Sequence, residues 1–433
     1  MMESKMVYTT EVPLIRSCDI LVCGAGPAGI AAAVTAARSG LDTVLLERFG
    51  MVGGSMTIGN VTTLMGTSTP GGIWQEVMSL LGAPDGRFAI DPERAKIALL
   101  QLIEASGAHL HLLTPIIDTI MSNGILEGVI ALTPQGPMGY KAKRIIDATG
   151  DGYVAYRSGC ITEYGRKEDG LVQPVSLCFH IRGVDPSCNL VCRHEEDDTL
   201  LSTGKSYLSV CEEAAASGKL PAHVTIVRLY PSAERKGEYL VNATQVGGVD
   251  TLNADALTKA EIALRSQMQK VVTFLKEQVP GFSAIEIASS PSSIGIRESR
   301  RIIGHYILTG EDVLKGRTFT DVVVHQASFP IDIHNPTGGG QAEKDGLPHQ
   351  GQPYDIPLRS LVPLGVQHLV LSGRNISGDH RALASYRVMN IAMSIGQAAA
   401  VIAQVSLQSG VDVSQVSREA VQEVLIGLGC KLF

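Results

Sequence analysis

Apolar and polar positions along the chain alternate between two rhythms, and these rhythms set the expected layout. Residues 19–23 form a short apolar run that ends in glycine, as a buried parallel strand does. Residues 28–39 are rich in alanine and small apolar side chains, the pattern of a helix packed closely on a sheet, and residues 43–46 are the next strand. A short helix is expected over 73–81, carrying Trp74. A longer one runs from Pro92 to about Ser106, with Asp91 as its N-cap and proline at its first position. A strand at 109–113 is followed by runs at 116–121, 125–132 and 141–146, with turn chemistry at Asn123-Gly124 and 134–137. This pattern predicts a small β-meander that returns to the parallel sheet.

From about Cys160 the pattern changes. Strand-like runs at 175–181, 224–229 and 238–243 surround an acidic interval at 185–220 that reads as loops and a helix. Residues 253–279 give the clearest long helix, with Leu257, Leu264, Met268, Val271, Val272 and Leu275 on one face and Pro280-Gly281 as its stop. His325 ends a further strand, and the Gly/Pro/Gln-rich 335–353 reads as a loop or a flexible lid. Residues 369–372 read as a last buried strand, 384–407 as the last main helix and 411–428 as a tail helix. The expected fold class is α/β: a Rossmann-like domain with a parallel sheet and β-meander, plus a mixed α+β substrate domain. The expected division is a discontinuous first domain, 1–165 with 351–410, a substrate or cap domain, 166–350, and a C-terminal helical tail, 411–433.

Composition narrows the class. A chain of 433 residues, 45% hydrophobic and 18% charged, has the core of a globular protein of two or three domains. A net charge of −7 and the lack of a basic stripe argue against a nucleic-acid partner. The most apolar segment, 391–407, is interrupted by Ser394, Gly396, Gln397 and Gln404 and suits a buried helix, so no membrane span is expected. No signal peptide is expected either. The eight cysteines show no C-x-x-C spacing and read as reduced thiols of a cytoplasmic protein. Cys188, Cys192 and His194 lack a fourth ligand at usable spacing, so no metal site is expected.

The chemistry starts at Gly24-Ala25-Gly26-Pro27-Ala28-Gly29, a G-x-G-x-x-G turn set between a strand and a helix. In such a turn Gly24 permits the tight bend, Gly26 lets a pyrophosphate approach the backbone, and Gly29 lets helix and strand pack closely. Glu47 ends the second strand, where an acid can accept hydrogen bonds from a ribose diol. Soon after comes Gly53-Gly54, backbone suited to lie against an extended ligand. This second glycine cluster favours FAD over NAD. The turn at 147–152 can face the same cofactor. No second G-x-G-x-x-G follows a strand, so no dedicated NAD(P)H domain is expected.

The chain resembles FAD-dependent oxidoreductases of the glutathione-reductase type, and within them the bacterial FAD dependent oxidoreductase family, distantly related to fumarate reductase and thiazole-synthase flavoproteins. The resemblance lies in GAGPAGIAAA at 24–33, ER-x-G-x-x-GG at 47–54, IDATGDG at 146–152, the 294–313 and 329–336 segments, YDIPLRSLVP at 354–363, and 369–400. It implies that Gly24, Gly26, Pro27, Ala28 and Gly29 cradle the FAD pyrophosphate, that Glu47 and Arg48 meet the AMP ribose, and that Gly53, Gly54, Ser55 and Met56 lie beside the flavin. Ile116 is placed like the residue whose backbone meets adenine. Thr149, Gly150 and Asp151 resemble the returning strand's contact, and Gly373 and Arg374 the passage of the ribityl chain and pyrophosphate. Ser385, Tyr386, Arg387 and Val388 would begin a helix whose N-terminus faces the flavin.

The expected activity is hydride transfer between FAD and a small polar metabolite, anionic ones included, with an electron acceptor or donor that the residues do not name. Arginine forks suit carboxylates and histidine suits proton transfer. His380, just before the flavin-facing helix, is the first candidate for acid/base work, with packing on the flavin an equal alternative. His334 is second, and alternation puts it on the same side as Asp332. There a structural or cofactor-orienting pair is the stronger reading. Arg297 and Arg301 share a face if their segment is helical. His305, His325, Arg300, Arg381, Tyr354 and Tyr386 are weaker candidates. Two other functions stay open: a flavin-dependent tRNA-modifying enzyme, and a non-enzymatic protein that keeps FAD as a structural element. Covalent attachment of flavin through a histidine and a homo-oligomeric state are both compatible with the sequence.

Overall fold

The structure is a computed structural model that describes residues 9–83, 90–193, 197–232, 234–339 and 351–433. His194 and most of the loop expected at 335–353 lie outside the described residues.

The first expected unit is present almost as read. Strand Leu14–Cys23 leads through the glycine turn into helix Pro27–Arg38 and strand Thr43–Leu46. The first strand starts before its apolar run because its exposed end is still hydrogen-bonded to the returning strand Gly136–Asp147, in parallel register from Leu14↔Gly139 to Cys23↔Asp147. His109–His111 extends the sheet beyond Thr43–Leu46, and Leu369–Leu371 adds to the far side of Gly136–Asp147. All of these pairings are parallel, which gives a central sheet buried on both faces. Strands Ile116–Ser122 and Ile125–Thr133 complete the antiparallel meander with the first half of Gly136–Asp147. One long strand thus joins meander and parallel sheet, and its end delivers Asp147 to the nucleotide turn.

Helix Pro27–Arg38 packs on this sheet and against helix Met389–Ser409, which also meets the sheet at Gly136–Asp147 and Leu369–Leu371. The crossing is tight: a Cβ on Gly396 would lie 2.0 Å from the Ala28 carbonyl oxygen. Met389–Ser409 is the one helix among the described residues long and apolar enough to cross a membrane, and it is mostly buried inside the protein.

The sequence reading of one helix over 384–407 is corrected. There are two, His380–Tyr386 and Met389–Ser409, broken at Arg387-Val388. Val388 takes extended backbone angles as N-cap, and Asn390 donates its side-chain N–H to the Gly66 carbonyl at 2.8 Å, which anchors the new start. The tail also divides, into Val413–Gln415 and Arg418–Gly427, because the Ser417 side chain caps the second piece.

The large core contains Ile20, Leu21, Val22, Leu45, Ile146 and Val370, and it also takes in Ile302, Leu308, Val324, Ile333 and the tail's Leu425. A second core belongs to an antiparallel sheet in the order Glu286–Ser289, Cys178–Arg182, Tyr239–Asn242, Arg228–Pro231. There Phe179, Ile181, Leu229 and Val241 pack with Met268, Val271, Phe274 and Leu275 of helix Ala254–Gln278. That helix has the expected extent, with Asn253 accepting the Ala256 N–H as its cap. The two cores meet where His180 Nε2 lies 3.2 Å from Thr62 Oγ1.

Candidate functional site: a dinucleotide cradle and two polar clusters

The cradle is built from backbone. Gly24 has φ +101°, and a Cβ there would lie 2.5 Å from the Ala148 carbonyl oxygen. A Cβ on Gly29 would lie 1.7 Å from the Gly24 carbonyl oxygen. By contrast, a Cβ on Gly26 would meet nothing within 4 Å, so the room in front of the turn lies at the phosphate position. Gly26 is the N-cap of Pro27–Arg38 and no side chain caps it, which leaves the first N–H groups directed outward. The second glycine pair closes on the first: Gly53 donates to the Ala25 carbonyl at 2.8 Å, and Gly54 has φ +51° with its Cβ direction 2.9 Å from Gly26 Cα. Ser55 is exposed beside it, whereas Met56 is buried and offers the site only backbone.

Glu47 is buried. Its carboxylate accepts the Ala25 N–H at 2.7 Å and the Phe49 N–H at 2.9 Å. Burial raises its pKa, and the two backbone donors and the Arg48 charge act against that. A carboxylate has about four acceptor positions, so these two contacts leave capacity for a ribose hydroxyl. The Thr114 N–H bonds the Glu47 carbonyl at 2.8 Å, which sets residues 113–116, Ile116 included, beside the same end. On the other flank Asp151 pairs with Arg374 at 2.5 Å and Arg48 at 3.6 Å and accepts the Ser299 hydroxyl. Burial works to raise the Asp151 pKa, but the two guanidiniums and the serine outweigh it and hold the carboxyl below its ordinary value. Thr149 donates both its N–H and its hydroxyl to buried Asp147. A Cβ on Gly150 would strike the Arg374 guanidinium at 2.8 Å, and one on Gly373 would touch Ala28 at 3.1 Å.

These residues fit FAD. The uncapped helix start, with open room in front of Gly26 and the Arg374 and Arg48 guanidiniums on its flank, suits a pyrophosphate. Ser372 Oγ, Arg374 Nε, Asn375 Oδ1 and Ser377 Oγ, all on the adjoining turn, are buried polar atoms with no hydrogen-bond partner among the described residues.

The helix expected to start at residues 385–388 is corrected. Ser385 and Tyr386 close the preceding helix, and their hydroxyls donate to the Phe329 and Ile376 carbonyls. Arg387 lies in the break and points to Asp332, and only Val388 sits at the start of the long helix.

The four catalytic candidates fall into two clusters. Arg297 and Arg301 do not share a helical face, because Arg300–Ile302 is a strand paired with Thr162–Tyr164. In the first cluster His380 Nδ1 lies 2.9 Å from Glu298 Oε1, which also accepts Arg301 Nη1 at 2.5 Å. Glu298 is fully buried, and its other oxygen accepts the Gln173 N–H at 3.1 Å. In the second, Arg297 and His334 line a small polar cavity that opens to solvent, with Arg228, Thr225 and Gln245. His334 Nε2 is 3.4 Å from Asp332, which Arg387 also contacts at 3.2 Å. Gln173 joins the clusters: its Oε1 accepts the His334 N–H at 3.4 Å and Arg387 Nη2 at 3.5 Å. His325 lies elsewhere, 2.7 Å from Asp355 and near the tail's Cys430. All eight cysteines are free, and the described residues hold no group of three metal-ligating side chains.

Sequence reasoning missed Glu298 and Gln173. An acid set among three arginines, at 297–301, was a readable signal for Glu298. Gln173 carries no signal, because its role comes from the fold alone.

Two buried histidines give a stability prediction. Burial holds His180 at about 4, and burial with the Arg297 charge holds His334 at about 4 against the pull of Asp332. The unfolded chain therefore takes up these protons first. Their contribution is complete above the ordinary histidine value of 6.5, falls as pH drops towards about 4, and levels off below. Each contributes a slope of up to about 1.4 kcal/mol per pH unit in that window. Urea midpoints measured from pH 7 to 4 should fall, and the fall should be shallower in His180→Gln protein.

A family model described as FAD dependent oxidoreductase matches residues 19–425. The chain belongs to that family. FAD is its cofactor, and the chain is an oxidoreductase by family. The thiamine thiazole synthase of Aeropyrum pernix is 29% identical over 185 residues, covering 39% of this chain and 66% of that one. The urocanate reductase of Eggerthella lenta is 56% identical over 50 residues, 12% of this chain and 8% of that one. The chain thus spans less than two thirds of the length of these curated relatives. Among solved structures, a geranylgeranyl bacteriochlorophyll reductase-like protein from Thermoplasma acidophilum overlays with a TM-score of 0.48 at 16% identity, covering 95% of this chain and 83% of that one.

Proposed function

We propose that this family member transfers hydride between FAD and a small polar metabolite, and that His380 moves the accompanying proton. The observation that supports this most is the His380–Glu298–Arg301 chain. Glu298 is acceptor-only when ionised, so the hydrogen in the His380 Nδ1 contact comes from the imidazole. That choice leaves the lone pair on Nε2, which has no partner among the described residues. Arg301, itself buried, and the Gln173 N–H hold the Glu298 carboxyl group in place behind the His380 ring. The Asp379 side chain caps the helix that starts at His380 by accepting the Ala382 N–H at 2.7 Å, which fixes the backbone under the ring.

Bound FAD supplies a two-electron acceptor or donor for hydride. The chain's part is to orient the metabolite and to hold the proton. In the oxidative direction a substrate hydroxyl or amine gives its proton to His380 Nε2 as hydride leaves the adjoining carbon. In the reverse direction the imidazolium returns it. Residues 24–29, 47–48, 53–56, 149–151 and 373–374 serve as the cofactor contacts in this reading. The cofactor unit is 1–165 with 351–410, and 166–350 is the substrate-bearing cap; Ile302, Leu308, Val324 and Ile333 of the cap interval pack in the cofactor unit's core.

The test is anaerobic mixing of the FAD-loaded protein with a panel of small hydroxy acids, amino acids, polyols and alcohols. At least one class should bleach the flavin absorbance, and His380→Gln should slow it at least tenfold. Absence of bleaching across the panel, together with failure of unsaturated acceptors to reoxidise the reduced protein, would contradict the proposal.

A further inference from the structure

The cap-side cavity is lined by a guanidinium, that of Arg297, which the cofactor does not account for. Arg228 lines it too, and no acid does among the described residues. Arg297 donates Nη1 to the Pro174 carbonyl at 2.8 Å, and no carboxylate among the described residues stands within ion-pair range of it. Asp332, whose field Arg297 feels, is already engaged by Arg387 and His334. Burial, with the charges of Arg387 and Arg228, lowers the Arg297 pKa to about 10, which still leaves it charged at neutral pH. His334 stays neutral there, so it adds a hydrogen-bonding group and no charge. A half-buried guanidinium answered only by a carbonyl is an incomplete site, since buried charges are ordinarily paired. His223 adds a second unmet demand on the same wall: its Nε2 is buried and without a partner among the described residues.

We propose that this cavity binds the carboxylate of the substrate, with Arg297 as its principal contact and Arg228 and His334 as flanking groups. The proposal rests on the hydride-transfer reading and names its substrate class: a small carboxylate whose oxidisable or reducible carbon lies beyond the carboxyl group. A planar guanidinium offers two parallel N–H groups that match the two oxygens of a carboxylate. Gln173 then links the two ends of the site. Its side chain touches His334 and Arg387 on the cavity side, and its backbone N–H holds Glu298 behind His380. Anchoring the carboxylate would thus set the reacting carbon at a fixed offset from the proton-moving imidazole.

The test is calorimetric titration of the FAD-loaded protein with succinate and acetate, with their neutral amides, and with inorganic phosphate. It needs no turnover, so its failure is distinct from a failure to bleach the flavin. Carboxylates are expected to bind at least tenfold more tightly than the matching amides, and phosphate more weakly than succinate. Arg297→Ala should reduce carboxylate affinity at least thirtyfold while FAD content and thermal midpoint stay within error. Arg297→Lys should restore only part, because an ammonium lacks the fork. Should Arg297→Ala fold poorly, the carboxylate-to-amide ratio of the unaltered protein decides alone. Equal binding of carboxylates and amides, preferential binding of phosphate, or undiminished affinity in a well-folded Arg297→Ala protein would each overturn the proposal.

Discussion

Gly29→Val protein is expected to purify colourless. A Cβ at this position would lie 1.7 Å from the Gly24 carbonyl oxygen and 3.2 Å from Ala148 Cβ, and the first of these neighbours is backbone that cannot rotate away. Strand, turn and helix would have to separate, which misplaces the N–H groups at the start of Pro27–Arg38. We expect a loss of FAD affinity of at least a hundredfold, about 2.7 kcal/mol on the scale of 1.4 kcal/mol per decade. An added stability loss of about 1–3 kcal/mol is expected from overpacking. Gly26→Ala is the informative partner. Its Cβ meets nothing within 4 Å, so the fold should be unharmed while the phosphate approach is narrowed. The measurement is FAD content after purification and FAD affinity by fluorescence titration. A Gly29→Val protein with full FAD would show that the turn does not hold the cofactor.

Glu298→Gln is expected to lower kcat about a hundredfold with KM little changed. Glu298 Oε1 meets both His380 Nδ1 and Arg301 Nη1, so a glutamine that keeps its oxygen there retains both contacts as a neutral acceptor. What is lost is the negative charge behind the imidazole, which stabilises the imidazolium formed as the proton is taken up. General acid–base groups contribute about 10²- to 10⁴-fold, which sets the scale. The pH–rate profile should change along with the rate. Glu298→Asp, which keeps the charge, should restore part of the rate and of the profile. A merely structural role would lower stability without altering the profile. Arg301→Ala differs in kind: it leaves the buried Glu298 without its cation, and a loss of about 3–5 kcal/mol in stability is expected. An unchanged pH profile in well-folded Glu298→Gln protein would remove this residue from the mechanism.

The sequence was most informative where local geometry dictates residue type. Gly24, Gly26, Gly29 and the Gly53-Gly54 pair could be read because their backbone angles and close contacts admit no side chain or need none. The long helix could be read from its apolar face, and Asp91 from cap chemistry. The break at Val388 could not, since nothing in Tyr386-Arg387-Val388-Met389 opposes a continuous helix. The break depends on tertiary contacts such as Asn390 with Gly66, more than three hundred positions away in the chain. The catalytic side was legible in residue type and not in grouping. Arg297 and Arg301 share a run of basic residues, yet one faces a cavity and the other a buried carboxylate, because the strand that begins at Arg300 turns them apart. Glu298 and Gln173 were set by contacts between distant segments, which no periodicity records.

Hydride is proposed to pass directly between a small carboxylate and FAD within this fold. Anaerobic stopped-flow mixing with a reactive carboxylate, protiated or deuterated at the reacting carbon, tests this most directly. Bleaching of the flavin absorbance should slow two- to severalfold with deuterium, and Arg297→Ala should shift its concentration dependence to higher substrate. Equal rates for the two isotopologues under chemistry-limited conditions, with bleaching unaffected by Arg297→Ala, would contradict the account.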